Sequence, residues 1–122
     1  MATVLLVDDE PDILLMLRMS FEDEGHHVVT AANGKLALER LAEGGIDVVV
    51  LDMMMPVVDG WGVLTGKQAS GDTTPVIVVS AKSDPRDAER VLELGAVDYV
   101  MKPFDLDALI ALVSEVATRP RP

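Results

Sequence analysis

The chain has no cysteine. Disulfides and thiolate metal sites are therefore excluded, and the default compartment is a reducing one, the cytoplasm. Aromatics are nearly absent, with one Trp, one Tyr and two Phe among 122 residues, so Val, Leu, Ile, Ala and Met must fill any core. No apolar run approaches the roughly 18 residues of a membrane span. Basic residues are few, 10 against 21 acidic ones, and the net charge of -11 argues against direct nucleic-acid binding. The opening "MATVLLVDDEPD" meets acid within eight residues and carries no basic segment, unlike a signal peptide. No internal linker, low-complexity segment or repeat interrupts the chain. The length fits one domain, taken as residues 1–118, with 119–122 a flexible tail or the start of a linker.

What is present is a regular alternation. Five short apolar runs are rich in β-branched residues: "TVLLV", "HVVTA", "DVVVL", "PVIVVS" and "VDYVM". Each is continuous rather than alternating, as expected of strands covered on both faces. Helical spacing fills the intervals. Ile13, Leu17 and Phe21 recur four apart behind Pro11, which a first turn tolerates. Asn33 is placed to cap a second helix that stops near Gly44 and Gly45. A third helix follows Asp59, although Gly62 and Gly66 inside it each cost up to about 1 kcal/mol relative to Ala. The fourth runs from about Pro85 to Leu94 with Gly95 as its stop, and the last starts near Asp105 and carries Leu106, Leu109, Ile110, Val113 and Val116. Strands alternating with helices imply an α/β fold with a parallel sheet and right-handed crossovers.

The polar residues fall at one end of that frame. Asp8 and Asp9 end the first strand, Asp52 the third and Ser80 the fourth, and Lys102 follows the fifth. An open α/β sheet puts its crevice outside the carboxyl ends of its strands, so these residues should converge. Three carboxylates against one ammonium leave excess negative charge, which a hard divalent cation with oxygen ligands would neutralise. Mg²⁺ (or Mn²⁺) suits one or two carboxylates, several waters and a phosphate oxygen. Asp52, held beside such a cation and Lys102, is a plausible nucleophile towards phosphorus, with Ser80 placed to bind a phosphoryl oxygen.

The pieces "LLVDDEPD", "DVVVLDMMMPVVDGW", "TPVIVVSA" and "GAVDYVMKPF", in this order and spacing, resemble the receiver domain of bacterial two-component response regulators. The resemblance implies a doubly wound, flavodoxin-like sheet of five parallel strands in the order 2-1-3-4-5. It implies that Asp52 is the phosphoacceptor. Asp8 and Asp9 would be the acidic pair that holds the metal, with Asp52 and the backbone carbonyl of Met54. Ser80 and Lys102 would bind the phosphoryl group, Tyr99 would be the aromatic that moves with the hydroxyl, and the Lys102–Pro103 peptide would be cis. The partners implied are a sensor histidine kinase or a histidine phosphotransfer protein, and an output domain or downstream protein reached through the helix 4–strand 5–helix 5 face. A homodimer is possible in the family. Such a domain is not an enzyme in the ordinary sense, since it catalyses only its own phosphorylation and dephosphorylation.

Each assignment has a plainer rival. Asp12 and Asp59 read as helix-start acids, Glu10 as favouring a helix dipole, and Met53 to Met55 as packing. His26 and His27 read as surface or edge residues, away from the crevice. Two other classes compete. A haloacid-dehalogenase-type phosphatase would need a second Asp two residues after the nucleophile, where this chain has Met54, and a degenerate receiver would have lost one of the key residues. The charged dimer surface of many receivers is replaced here by Val97, Ala108 and Leu112, and Leu112 is expected to add an exposed apolar patch. Met54 and Lys82 flank the approach of a hydrolytic water in such a family and cannot serve as its base, which implies slow loss of the phosphoryl group.

Overall fold

The computed structural model describes residues 2–53, 59–81 and 85–119. Chain order is β1 (Thr3–Val7), α1 (Pro11–Asp23), β2 (His27–Ala31), α2 (Gly34–Glu43), β3 (Val48–Asp52), α3 (Gly60–Ser70), β4 (Val76–Ser80), α4 (Pro85–Glu93), β5 (Asp98–Met101) and α5 (Leu106–Thr118). All strand pairings are parallel, and the sheet order is β2-β1-β3-β4-β5.

The continuous apolar runs are explained by two cores, one on each face of the sheet. Successive side chains of a strand point to opposite faces. Leu5, Val7, Val49, Leu51, Val76 and Val78 pack towards Ala37 and Leu41 of α2, Val63 and Leu64 of α3 and Val91 of α4. Val4, Leu6, Val48, Val50, Ile77 and Val79 pack towards Leu17 and Phe21 of α1 and Leu109, Val113 and Val116 of α5. The expectation of two covered faces holds for β3 and β4, and nearly so for β1. The edge strands β2 and β5 are only partly covered, because each pairs on one side alone.

Helix starts follow local chemistry. The side-chain oxygens of Asn33, Asp59 and Asp105 accept from the amides of Leu36, Gly62 and Ala108, satisfying donors that a first turn leaves free. Gly66 has a packing reason: a methyl group there would meet Leu38 Cδ1 at 3.1 Å, so the glycine lets α2 and α3 approach.

Two expectations are corrected. Leu112 is half-buried against the α1/α5 core instead of forming an exposed patch. The exposed large apolar side chains near that end are Leu92, Val97 and Met101. His26, expected at the surface or edge, is half-buried just before the edge strand β2 and is held by specific contacts. Its Nδ1 accepts from the Ala2 amide at 3.2 Å, its Nε2 lies 3.1 Å from Ser114 Oγ, and its ring is tilted against Phe21. It ties β1, α1 and α5 together at the amino end of the sheet, whereas its neighbour His27 is exposed as expected. Among the described residues, no helix is long and apolar enough to cross a membrane.

Candidate functional site

The alternation that builds the cores also aims the polar residues. Val4, Leu6 and then Asp8, and Val48, Val50 and then Asp52, continue two rows on the α1/α5 face of neighbouring strands. At the carboxyl ends the rows switch from valine and leucine to aspartate, and both carboxylates stay buried, each 5% exposed. Lys102, one residue beyond β5, reaches across from the far side of β4. Its Nζ lies 3.8 Å from Asp8 Oδ2 and 3.7 Å from Asp52 Oδ2. These are ion-pair separations, too long for hydrogen bonds. The turn that delivers Lys102 is anchored by its own amide, which donates to the Ser80 carbonyl at 2.9 Å, and the following Lys102–Pro103 peptide is cis.

Ser80 ends β4 and is buried, and Tyr99 is half-buried against the α2/α3/α4 core. Asp9 stands exposed at the mouth. Carboxylate oxygens of Asp8, Asp9 and Glu10 lie within 4.8 Å of one another. Glu10 is the residue before α1 and makes no side-chain capping bond, so sequence reasoning, which assigned it to the helix dipole, missed its place beside the acidic pair. Its adjacency in "DDE" was the available signal. The structure thus brings together Asp8, Asp9, Asp52 and Lys102, with Ser80 on the adjoining strand end. Met54 and Lys82 lie outside the described residues, as do residues 120–122 of the expected tail.

Burial pushes the Asp8 carboxyl above its ordinary value. The Glu10 amide, donating to Asp8 Oδ1 at 2.9 Å, works in the opposite direction, as does Lys102, while the charges of Asp52 and Asp9 push it up further. Among the described residues, two buried carboxylates face one ammonium, and each ion loses its hydration on burial. This all-oxygen donor set fits a hard divalent cation, which would add positive charge to the acidic cluster.

Beside Lys102 opens a groove of about 580 Å³, lined by Ile13, Met16, Ala81, Pro103, Phe104 and Leu106 among others. On α1, Met16 of this lining is exposed, as are Leu15 and Met19. Sequence reasoning missed this surface, because it tracked only the buried stripe of α1. The signal was apolar residues on the positions between, in "ILLMLRM".

Residues 4–114 match the family described as "Response regulator receiver domain". The chain is 43% identical over 119 residues to the transcriptional regulatory protein KdpE of Mycobacterium tuberculosis, covering 98% of this chain and 52% of that protein. It is 36% identical over 121 residues to the transcriptional regulatory protein PcoR of Escherichia coli, covering 99% of this chain and 54% of that protein. It therefore spans about half the length of these curated relatives. Among solved structures, the receiver domain of the Francisella response regulator 1452 superposes with a TM-score of 0.93 at 34% identity, with 98% of each chain covered.

Proposed function

The chain belongs to the response regulator receiver domain family of two-component signalling, and from that membership we propose that it is switched by phosphorylation of Asp52. The observation that carries this reading is the shared ion pair: two buried carboxylates at adjacent strand ends held on one ammonium at 3.7–3.8 Å. In the proposed reaction an Asp52 carboxylate oxygen attacks the phosphorus of a donor phosphohistidine. The P–O bond to Asp52 forms as the P–N bond to the donor imidazole breaks, and the electron pair leaves with that nitrogen. Lys102 offsets charge on the transferring phosphoryl oxygens, and the Ser80 hydroxyl donates to one of them. Asp8, Asp9 and Asp52, with the Met54 carbonyl, would hold Mg²⁺, or Mn²⁺ in its place. The cation would supply electrostatic stabilisation of the phosphoryl group. Hydrolysis of the aspartyl phosphate resets the domain.

The proposed donor is a sensor histidine kinase or a histidine phosphotransfer protein. The groove beside Lys102 and the exposed apolar side chains of α1 support its docking there, since an apolar patch of this kind marks an interaction surface. Output passes through the α4–β5–α5 face, where Leu92, Val97 and Met101 are exposed and Tyr99 can report on Ser80. The modification shifts a pre-existing equilibrium between two arrangements of that face. The receiver unit is taken as residues 1–118. The relatives' greater length suggests an output domain as the recipient of the signal, with nucleic-acid binding, where there is any, left to it.

Incubation with acetyl phosphate and Mg²⁺ tests the reading. A phosphorylated regulator accumulates a label that persists after the donor is removed. Continuous phosphate release marks a phosphatase, and an inert protein marks a binding module. Two further results are expected. Mg²⁺ at about ten times its Kd should stabilise the protein by about 1.4 kcal/mol, because it binds the folded state alone. A melting curve unmoved by millimolar Mg²⁺ counts against the cation site. Met16→Glu, a charge placed in the groove, should lower transfer from a phosphorylated histidine donor about tenfold or more while leaving labelling by acetyl phosphate unchanged. Equal rates from the protein donor would remove α1 from the docking surface.

A further inference from the structure

Immediately behind Asp52, the chain leaves β3, and it returns at Gly60 to start α3. The two ends of this excursion touch. The Gly60 amide donates to the Met53 carbonyl at 3.2 Å, and Gly60 is buried. A β-carbon added at Gly60 would overlap Met53 Sδ, lie 2.7 Å from Met53 Cα and lie 3.2 Å from the Asp52 carbonyl oxygen. The sulfur sits at the end of a flexible side chain and can move. The Cα and the carbonyl belong to the backbone of the strand end itself. The last rung that pins this strand end to β4, from the Met53 amide to the Val79 carbonyl, is already long at 3.4 Å. A push from Gly60 would therefore fall on the segment that aims Asp52 at Lys102.

We propose that Gly60 is a positioning residue for Asp52: the absence of a side chain there lets the start of α3 clamp the backbone of Asp52 and Met53 and so hold the acceptor carboxylate at its place beside Lys102. The inference rests on the reading of Asp52 as phosphoacceptor and adds the device that fixes its geometry. A displacement of about 1 Å can cost on the order of a hundredfold in a reaction that depends on alignment.

Gly60→Ala, incubated with acetyl phosphate across a range of Mg²⁺ concentrations, should label ten- to a hundredfold more slowly at saturating Mg²⁺, beyond any loss explained by its unfolded fraction. Gly66→Ala is the comparison. It also crowds a tight glycine, but against the Leu38 side chain and away from Asp52, so its labelling rate should stay within about twofold of wild type. In the double variant Met53→Ala with Gly60→Ala the sulfur overlap is gone and only the backbone contacts remain. It should still label slowly. In the unaltered protein, hydrogen exchange of the Gly60 amide should be protected to within about tenfold of the β3 amides, a readout independent of how the variants fold. A wild-type rate in Gly60→Ala, recovery in the double variant, an equal loss in Gly66→Ala, or a Gly60 amide exchanging at unprotected rates overturns the proposal. Failure of the underlying reading is distinct, because then the unaltered protein takes no label.

Discussion

Asp52→Asn should abolish phosphoryl labelling while leaving the fold intact. The side chain is nearly isosteric, but an amide oxygen is a far weaker nucleophile than a carboxylate. Loss of a covalent nucleophile lowers rates by at least about a thousandfold. Asp52 is buried at the end of a central strand, 3.7 Å from Lys102 Nζ, and Asp8 shares that ammonium. Asp8 is therefore the residue to suspect of substituting for it. Phosphoprotein analysis after exposure to acetyl phosphate and Mg²⁺ should show no acid-stable, hydroxylamine-sensitive label in the variant. Label at more than about 1% of the wild-type level would move the acceptor elsewhere. Because the substitution removes one of two like charges from a buried pair, its melting temperature without Mg²⁺ should equal or exceed that of wild type.

Asp8→Asn should have the largest effect on stability, and with a definite pH dependence. The folded state holds the Asp8 proton more tightly than the unfolded chain does, chiefly because the carboxyl is buried. Well below the ordinary value of 3.8 both states are protonated and Asp8 is neutral in each. As pH rises past that value the unfolded chain ionises first, so wild-type stability falls until the folded carboxyl ionises too, and then stays low. The substituted amide does not titrate, and its oxygen can still accept from the Glu10 amide as Asp8 Oδ1 does. Without divalent cations the variant should therefore match wild type near pH 3 and melt at a higher temperature than wild type at neutral pH. Mg²⁺ should reverse the order, since wild type alone retains the full acidic set. Thermal melts at pH 3, 5 and 7, with and without Mg²⁺, check this. A difference independent of pH would sink the electrostatic account of Asp8.

The architecture was legible because each strand carries its own evidence. "DVVVLD" has apolar residues at every position between its two acids, which only a two-faced burial explains, and its last residue marks the crevice end. Periodicity was less informative where a residue's neighbours come from distant parts of the chain. Leu112 lies on a helix whose apolar stripe is broad, and the packing of α5 against α1 decides which side of the stripe is covered. The contacts of His26 were hidden because its partners, Ala2 and Ser114, come from opposite ends of the chain. The position of Gly60 was equally hidden. Within "VDGWG" it reads as a turn glycine, and only the return of α3 onto β3 shows what a side chain there would strike. The convergence of Asp8, Asp52 and Lys102, by contrast, was readable, since acidic and basic residues at strand ends meet in any sheet of this class.

The strand order has a consequence for biosynthesis. Asp8 and Asp52 belong to neighbouring central strands, whereas their shared cation sits just beyond β5, an edge strand and the last of the five to be made. A nascent chain on the ribosome can pair β1 with β3 before Lys102 has been translated. At that stage the two acids meet without their lysine, and the β4 edge is uncovered. Docking of the final strand then covers the β4 edge and brings one ammonium to the two acids, so the demand for counter-charge falls late in folding and falls only in part.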